Sequence, residues 1–167
     1  TYAAALEIGG ETGLTFWTMI TGWNASLLVY VAAKRYVTEI WAVLTALTFL
    51  STPAVLFGAG TGQVEIRCAA FVIASVLFLI ETNKTPSTRY IIIAGLFAGF
   101  YVASKYFGLI FVLACLPVLC FQKHFIKNTV IYSLTILLIG FQWYLWNFIH
   151  TNDPVFPSLT NIFDVSN

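Results

Sequence analysis

Between Tyr90 and Gln122 the chain carries a single charged side chain, Lys105. A lysine there is a compact point charge on a flexible stem, suited to hold a phosphate and to stabilise charge developing on it as a bond breaks. The plainer alternative is a lysine that marks a helix end and reaches back to the interface. A second charged window, Glu65 and Arg67, follows the glycine-rich turn of Gly58, Gly60 and Gly62. An acid opening a helix is favoured by the helix dipole, so Glu65 also has a purely structural explanation. Residues two apart do not face each other on a helix, so Glu65 and Arg67 are not an obvious ion pair. Polar groups near the chain's end, Asn147, Asn152 and Asp153, and Tyr106 beside the lysine, fall near the same face. The candidate substrate-binding residues are therefore Lys105, Glu65, Arg67, Tyr106, Asn147 and Asp153.

None of these is a catalytic set. No serine, histidine and carboxylate combination suggests a hydrolase, and neither G-x-x-x-x-G-K-[ST] nor G-x-G-x-x-G occurs. His124 and His150 have no partners at ligand spacing. Cys68, Cys115 and Cys120 lie in apolar runs and read as small buried hydrophobes. No cofactor is evident, and a divalent-metal requirement is left open.

The elements that position these residues follow from composition. Of 167 residues 59% are hydrophobic and 9% charged, with mean hydropathy +0.86, where a soluble domain carries about a quarter charged residues. The chain is expected to be an integral, multi-pass membrane protein. Its net charge of +1 gives no basic face for nucleic acid. The apolar runs predict an all-α polytopic transmembrane bundle treated as one unit, with about six spans. These lie near 13–33, 40–57, 66–81, 90–104, 106–121 and 128–149, followed by an irregular tail over 150–167. Pro53 should kink or end the second. Residues 1–12 suit an interfacial segment, and Asn24 inside the first span suits a hydrogen bond between helices.

Orientation follows from where the charges fall. Alternating sides puts Lys34, Arg35, Lys84, Arg89, Lys123 and Lys127 on one face with Glu39 and Glu81. The other face takes Glu7, Glu11, Glu65, Asp153 and Asp164 with only Arg67 and Lys105. Lysine and arginine collect in cytoplasmic loops, so the first face is expected inside, with the Lys105 hairpin and both chain ends extracytoplasmic. Each helix of that hairpin has about sixteen residues, or roughly 24 Å, short of the ~30 Å hydrocarbon core. Lys105 should therefore sit in a recess below the outer surface, where it needs water, a carboxylate or an anionic ligand. A re-entrant run that never reaches the outer leaflet is the alternative.

Three windows in order then resemble the polytopic GT-C glycosyltransferases that use polyprenyl-phosphate sugars, in their protein-mannosyltransferase-like branch. They are G-Q-V-E at Gly62 to Glu65; Ala94-Gly95-Leu96-Phe97-Ala98-Gly99 leading to Ser104-Lys105-Tyr106-Phe107-Gly108; and Trp143, Tyr144 and Asn147 before Thr151-Asn152-Asp153-Pro154-Val155-Phe156-Pro157. Glu65 stands for the more usual Asp, Ser104 for Thr, and Asn-Asp for Gly-Asn before Pro154. The resemblance implies a GT-C-like membrane core fragment that begins after the first extracytoplasmic loop and is inactive alone. That loop, in the rest of the same polypeptide upstream of Thr1, is expected to supply the acidic base. It also implies a polyprenyl-phosphate sugar donor as partner alongside membrane lipid. An acceptor hydroxyl or amine would displace the polyprenyl phosphate at the anomeric carbon, Lys105 stabilising that phosphate and Glu65 lining the cavity. A secondary transporter or flippase-like bundle binding an anion, and a non-catalytic scaffold, are the alternative readings; the lack of a second copy of the Lys105 hairpin counts against the transporter.

Overall fold

The computed structural model describes residues 2–156. Pro157, Asp164 and the rest of the expected tail beyond Phe156 lie outside the described residues, as does Thr1. Among the described residues there are seven helices and no strand: α1 Tyr2–Ala33, α2 Glu39–Ser51, α3 Pro53–Thr61, α4 Val64–Lys84, α5 Thr88–Ser104, α6 Phe107–Cys120 and α7 Phe125–Thr151. The fold is all-α, and the chain divides into two compact units, Thr1–Ala74 and Ser75–Asn167.

In the first unit α1 begins well before the apolar run that predicted it. Gly10 interrupts it with φ 58° and ψ −155°, a backbone state that glycine adopts without steric cost. Beyond that break α1 packs against α2 and α3 through small residues, with Ala25 and Ala42 fully buried. Asn24, expected to bond between helices, is exposed. Ser26 makes that bond instead, donating to the Ala46 carbonyl at 2.9 Å. Lys34 pairs with Glu39 at 3.4 Å and donates to the Tyr30 hydroxyl at 3.0 Å. The Tyr30 bond and then the Glu39 charge hold its pKa above the ordinary lysine value.

The run expected over 40–57 is two helices, α2 and α3, bent by 62°. Proline has no N–H and pushes the residue before it out of the helical region; Thr52 accordingly sits at φ −61°, ψ 127°. The Thr52 N–H turns to the Phe49 carbonyl at 3.2 Å. The Thr48 carbonyl receives the Ser51 hydroxyl at 3.1 Å and the Thr52 hydroxyl at 2.9 Å.

The second unit is built on α5 against α7, its most extensive helix pairing. Close approach comes from small residues: a Cβ on Gly99 would lie 2.8 Å from Ile139 Cβ. Leu79, Ile91, Ala94, Ala98, Leu119 and Tyr132 form the core. Ser75 Oγ ties α4 to α5 by donating to the Ala94 carbonyl at 2.9 Å. The outward side of α7 is apolar, with Leu134, Leu138 and Phe141 exposed. A soluble helix reverses that arrangement, whereas lipid accepts apolar side chains on its surface. By length and composition α7 suffices to cross a membrane, α2 and α3 together pass as a bent pair, and α5 and α6 are shorter apolar helices.

Candidate functional site

Lys105 and Tyr106 form the break between α5 and α6. Lys105 ends α5, its N–H donating to the Tyr101 carbonyl at 3.0 Å, and its backbone then turns extended at φ −153°, ψ 143°. The Gly108 N–H returns to the Lys105 carbonyl at 2.9 Å. Only glycine fits there, because a Cβ would lie 2.5 Å from Val102 N and 2.6 Å from Val102 Cα. The sequence folds into a hairpin here because α6 can start directly against the last turn of α5.

That geometry opens a recess of about 430 Å³ lined by Val102, Ser104, Lys105, Tyr106, Phe107 and, from α7, Trp143. Lys105 is half-buried in it. The Ser104 hydroxyl is turned away to the Phe100 carbonyl at 2.7 Å, which leaves the lysine as the cationic member of the lining. A second cavity of about 290 Å³ shares Val102 with the recess and lies between α6 and α7, walled by Leu109, Val112, Ile136, Leu137 and Phe141 and closed by Pro154 and Val155. A cationic recess thus adjoins an apolar groove.

Tyr106 and Asn147 meet. Asn147, buried on α7, donates to the Tyr106 hydroxyl at 3.1 Å and to the Pro154 carbonyl at 3.5 Å. The Tyr106 hydroxyl in turn donates to the Phe156 carbonyl. Tyr144 packs edge-on against Tyr106, with ring centroids 5.8 Å apart, and its hydroxyl donates to the Val102 carbonyl at 3.1 Å. Asp153 is fully buried; its Oδ1 accepts the Val155 N–H at 2.9 Å, and its own N–H donates to Thr151 Oγ1 at 3.3 Å. Asn152, with φ 57°, ends α7 in the left-handed conformation that asparagine tolerates.

Glu65 and Arg67 belong to the other unit, in the first turn of α4, Glu65 exposed and Arg67 half-buried. Among the described residues no three His, Cys, Asp or Glu side chains come together where they would hold a metal. Cys68 and Cys115 are buried, but Cys120 is exposed, a correction to its reading as core: it ends α6 where the chain turns toward α7. Trp143 and Tyr144, which the sequence marked only as members of the third window, take part in the recess and its support. Phe156 takes part through a backbone carbonyl, which no residue type announces.

A model of the dolichyl-phosphate-mannose-protein mannosyltransferase family matches residues 2–146, most of the chain, and the chain belongs to that family. It is therefore an integral membrane glycosyltransferase of the GT-C type. No curated protein and no solved structure matches it.

Proposed function

We propose that the chain transfers a sugar from a polyprenyl-phosphate donor to an acceptor on the extracytoplasmic face, with Lys105 holding the donor phosphate. The observation that carries this reading is the juncture at Val102, where the recess containing Lys105 meets the apolar groove between α6 and α7. A phosphate on an isoprenoid chain needs both surfaces, side by side. The acceptor oxygen or nitrogen forms a bond to the anomeric carbon as the bond from that carbon to the phosphate oxygen breaks. The electron pair leaves with the phosphate, and the ammonium of Lys105 stabilises the charge where it accumulates. The acceptor's proton goes to a base; the recess lining holds no carboxylate, so that base is assigned to an acidic residue elsewhere in the polypeptide. Glu65 and Arg67 enter the proposal on chemistry alone, as charged groups opening an apolar helix.

Sidedness in this reading follows the lysines and arginines. Within the second unit Lys123 and His124 share a cavity with Thr82, Asn83 and Pro86, so the basic turn before α7 and the turn after α4 lie at one end. Lys105 lies at the other end of α5. Basic loops inside place the Lys105 recess outside.

The test is sugar transfer by the full chain in membranes from a polyprenyl-phosphate donor. Lys105→Ala is expected to lower the rate about a hundredfold or more, the usual consequence of removing one preorganised electrostatic partner. Undiminished transfer removes Lys105 from this role.

A further inference from the structure

The backbone around Lys105 is gripped from both sides by groups that do not themselves carry charge. Three residues before it, the Val102 carbonyl accepts the Tyr144 hydroxyl. One residue after it, Tyr106 is fixed three ways: by its bond to the Phe156 carbonyl, by the Asn147 amide, and by the edge of the Tyr144 ring. Asn147 is 6% exposed, and a buried amide is costly unless bonded. Both of its bonds run to the hairpin or to the turn that follows α7. That turn, Asn152 to Phe156, is itself specified from within. It begins at the left-handed Asn152, and the buried Asp153 carboxylate accepts the Val155 N–H. The same turn closes one end of the apolar groove through Pro154 and Val155.

A lysine stem is flexible and rich in rotamers, so the default for Lys105 is to reach for bulk water. Pinning the chain three residues before it and one residue after it fixes where the stem begins. We infer that Tyr106 and Asn147 are positioning residues: with the turn after α7 they form a strap that aims Lys105 into the recess. This rests on the reading of Lys105 as the donor-phosphate ligand. Asn147 lies outside the recess lining and past the last residue matched by the family model, residue 146. It acts on Lys105 through Tyr106.

The full chain, reconstituted in lipid nanodiscs, is titrated with polyprenyl monophosphate and with the corresponding polyprenol. The ratio of the two affinities isolates what the phosphate contributes, which a general loss of structure leaves unchanged. Tyr106→Phe removes the bonds to Phe156 and Asn147, and Asn147→Ala those to Tyr106 and Pro154. Each is expected to lower that ratio about fivefold or more, the net effect of one to two lost hydrogen bonds, while any loosening of the Pro154 end of the groove weakens both lipids alike and divides out. An unchanged ratio in both variants, with or without parallel weakening of both lipids, overturns the strap. A loss in Tyr106→Phe alone makes Tyr106 a direct phosphate contact and also overturns it. Lys105→Ala separates this inference from the one beneath it. A wild-type ratio in Lys105→Ala sinks the donor-phosphate reading itself. A collapsed ratio there, with wild-type ratios in Tyr106→Phe and Asn147→Ala, sinks the strap only.

Discussion

Replacing Gly108 with alanine adds one methyl group where α6 starts against α5, and the structure sets the size of the disturbance. The new Cβ would lie 2.5 Å from Val102 N, 2.6 Å from Val102 Cα and 2.8 Å from Tyr101 C. Ordinary Cβ contacts begin near 3.4 Å, so the two helices must part by roughly 0.9 Å in a core that resists overpacking. All three neighbours are backbone atoms, so no rotamer change relieves the clash. Overpacking of this kind costs about 1–3 kcal/mol, and the upper end is expected here. Lys105 lies on the segment between the two colliding residues, so it moves with them. A displacement near 1 Å at a positioned group costs on the order of a hundredfold in rate. Gly108→Ala should therefore lower both the thermal midpoint of the purified full chain and its sugar-transfer rate. Gly60→Ala is the control. A Cβ there meets nothing within 4 Å, and alanine in a helix is favoured over glycine by about 1 kcal/mol. Wild-type stability and transfer in Gly108→Ala would refute the close approach of α5 and α6 on which the recess depends.

Two further substitutions test the frame around the site. Gly99→Val forces a branched side chain against Ile139 across the α5–α7 seam; it is expected to destabilise by about 1–3 kcal/mol, read as a lower thermal midpoint in detergent. Ser75→Ala removes the bond from α4 to the Ala94 carbonyl while the core around it stays filled. Interhelical bonds of this type are worth about 0.6 kcal/mol, so a small loss of stability with transfer unchanged is expected, and a loss above roughly 2 kcal/mol would show that the serine does more than bridge two helices.

The parts of this molecule that were legible in sequence are those whose causes are local. Lys105 breaks an apolar run and Pro53 breaks another; Gly95, Gly99 and Gly108 stood out only as members of a motif, and their role as points of close helix approach came from the structure. The depth of the break at Pro53 was not legible: a single run over 40–57 became two helices because Thr52 leaves the helical region entirely. The site's supporting bonds were hidden for a different reason. Tyr106 and Phe156 are 50 residues apart, and the acceptor is a carbonyl that every residue has. Asp153 was expected among the substrate-binding polar groups, yet it is fully buried and its carboxylate bonds the turn that follows. Cys120 erred in the opposite direction; its apolar neighbours suggested burial, and only the end of α6 decides that it is exposed.

The elbow between α2 and α3 has a consequence for how this chain enters a bilayer. Hydrocarbon offers no water to a stripped carbonyl, and each bare one costs several kcal/mol. A proline elbow normally creates such a group, here the oxygen of Thr48, whose amide partner has gone to Phe49. The hydroxyls of Ser51 and Thr52 cover it from within the same turn. Both hydroxyls belong to the elbow itself, so the Thr48 oxygen needs no other helix to cover it. At that carbonyl the bend carries its own hydrogen bonds into lipid and lowers the cost of a proline in an apolar run.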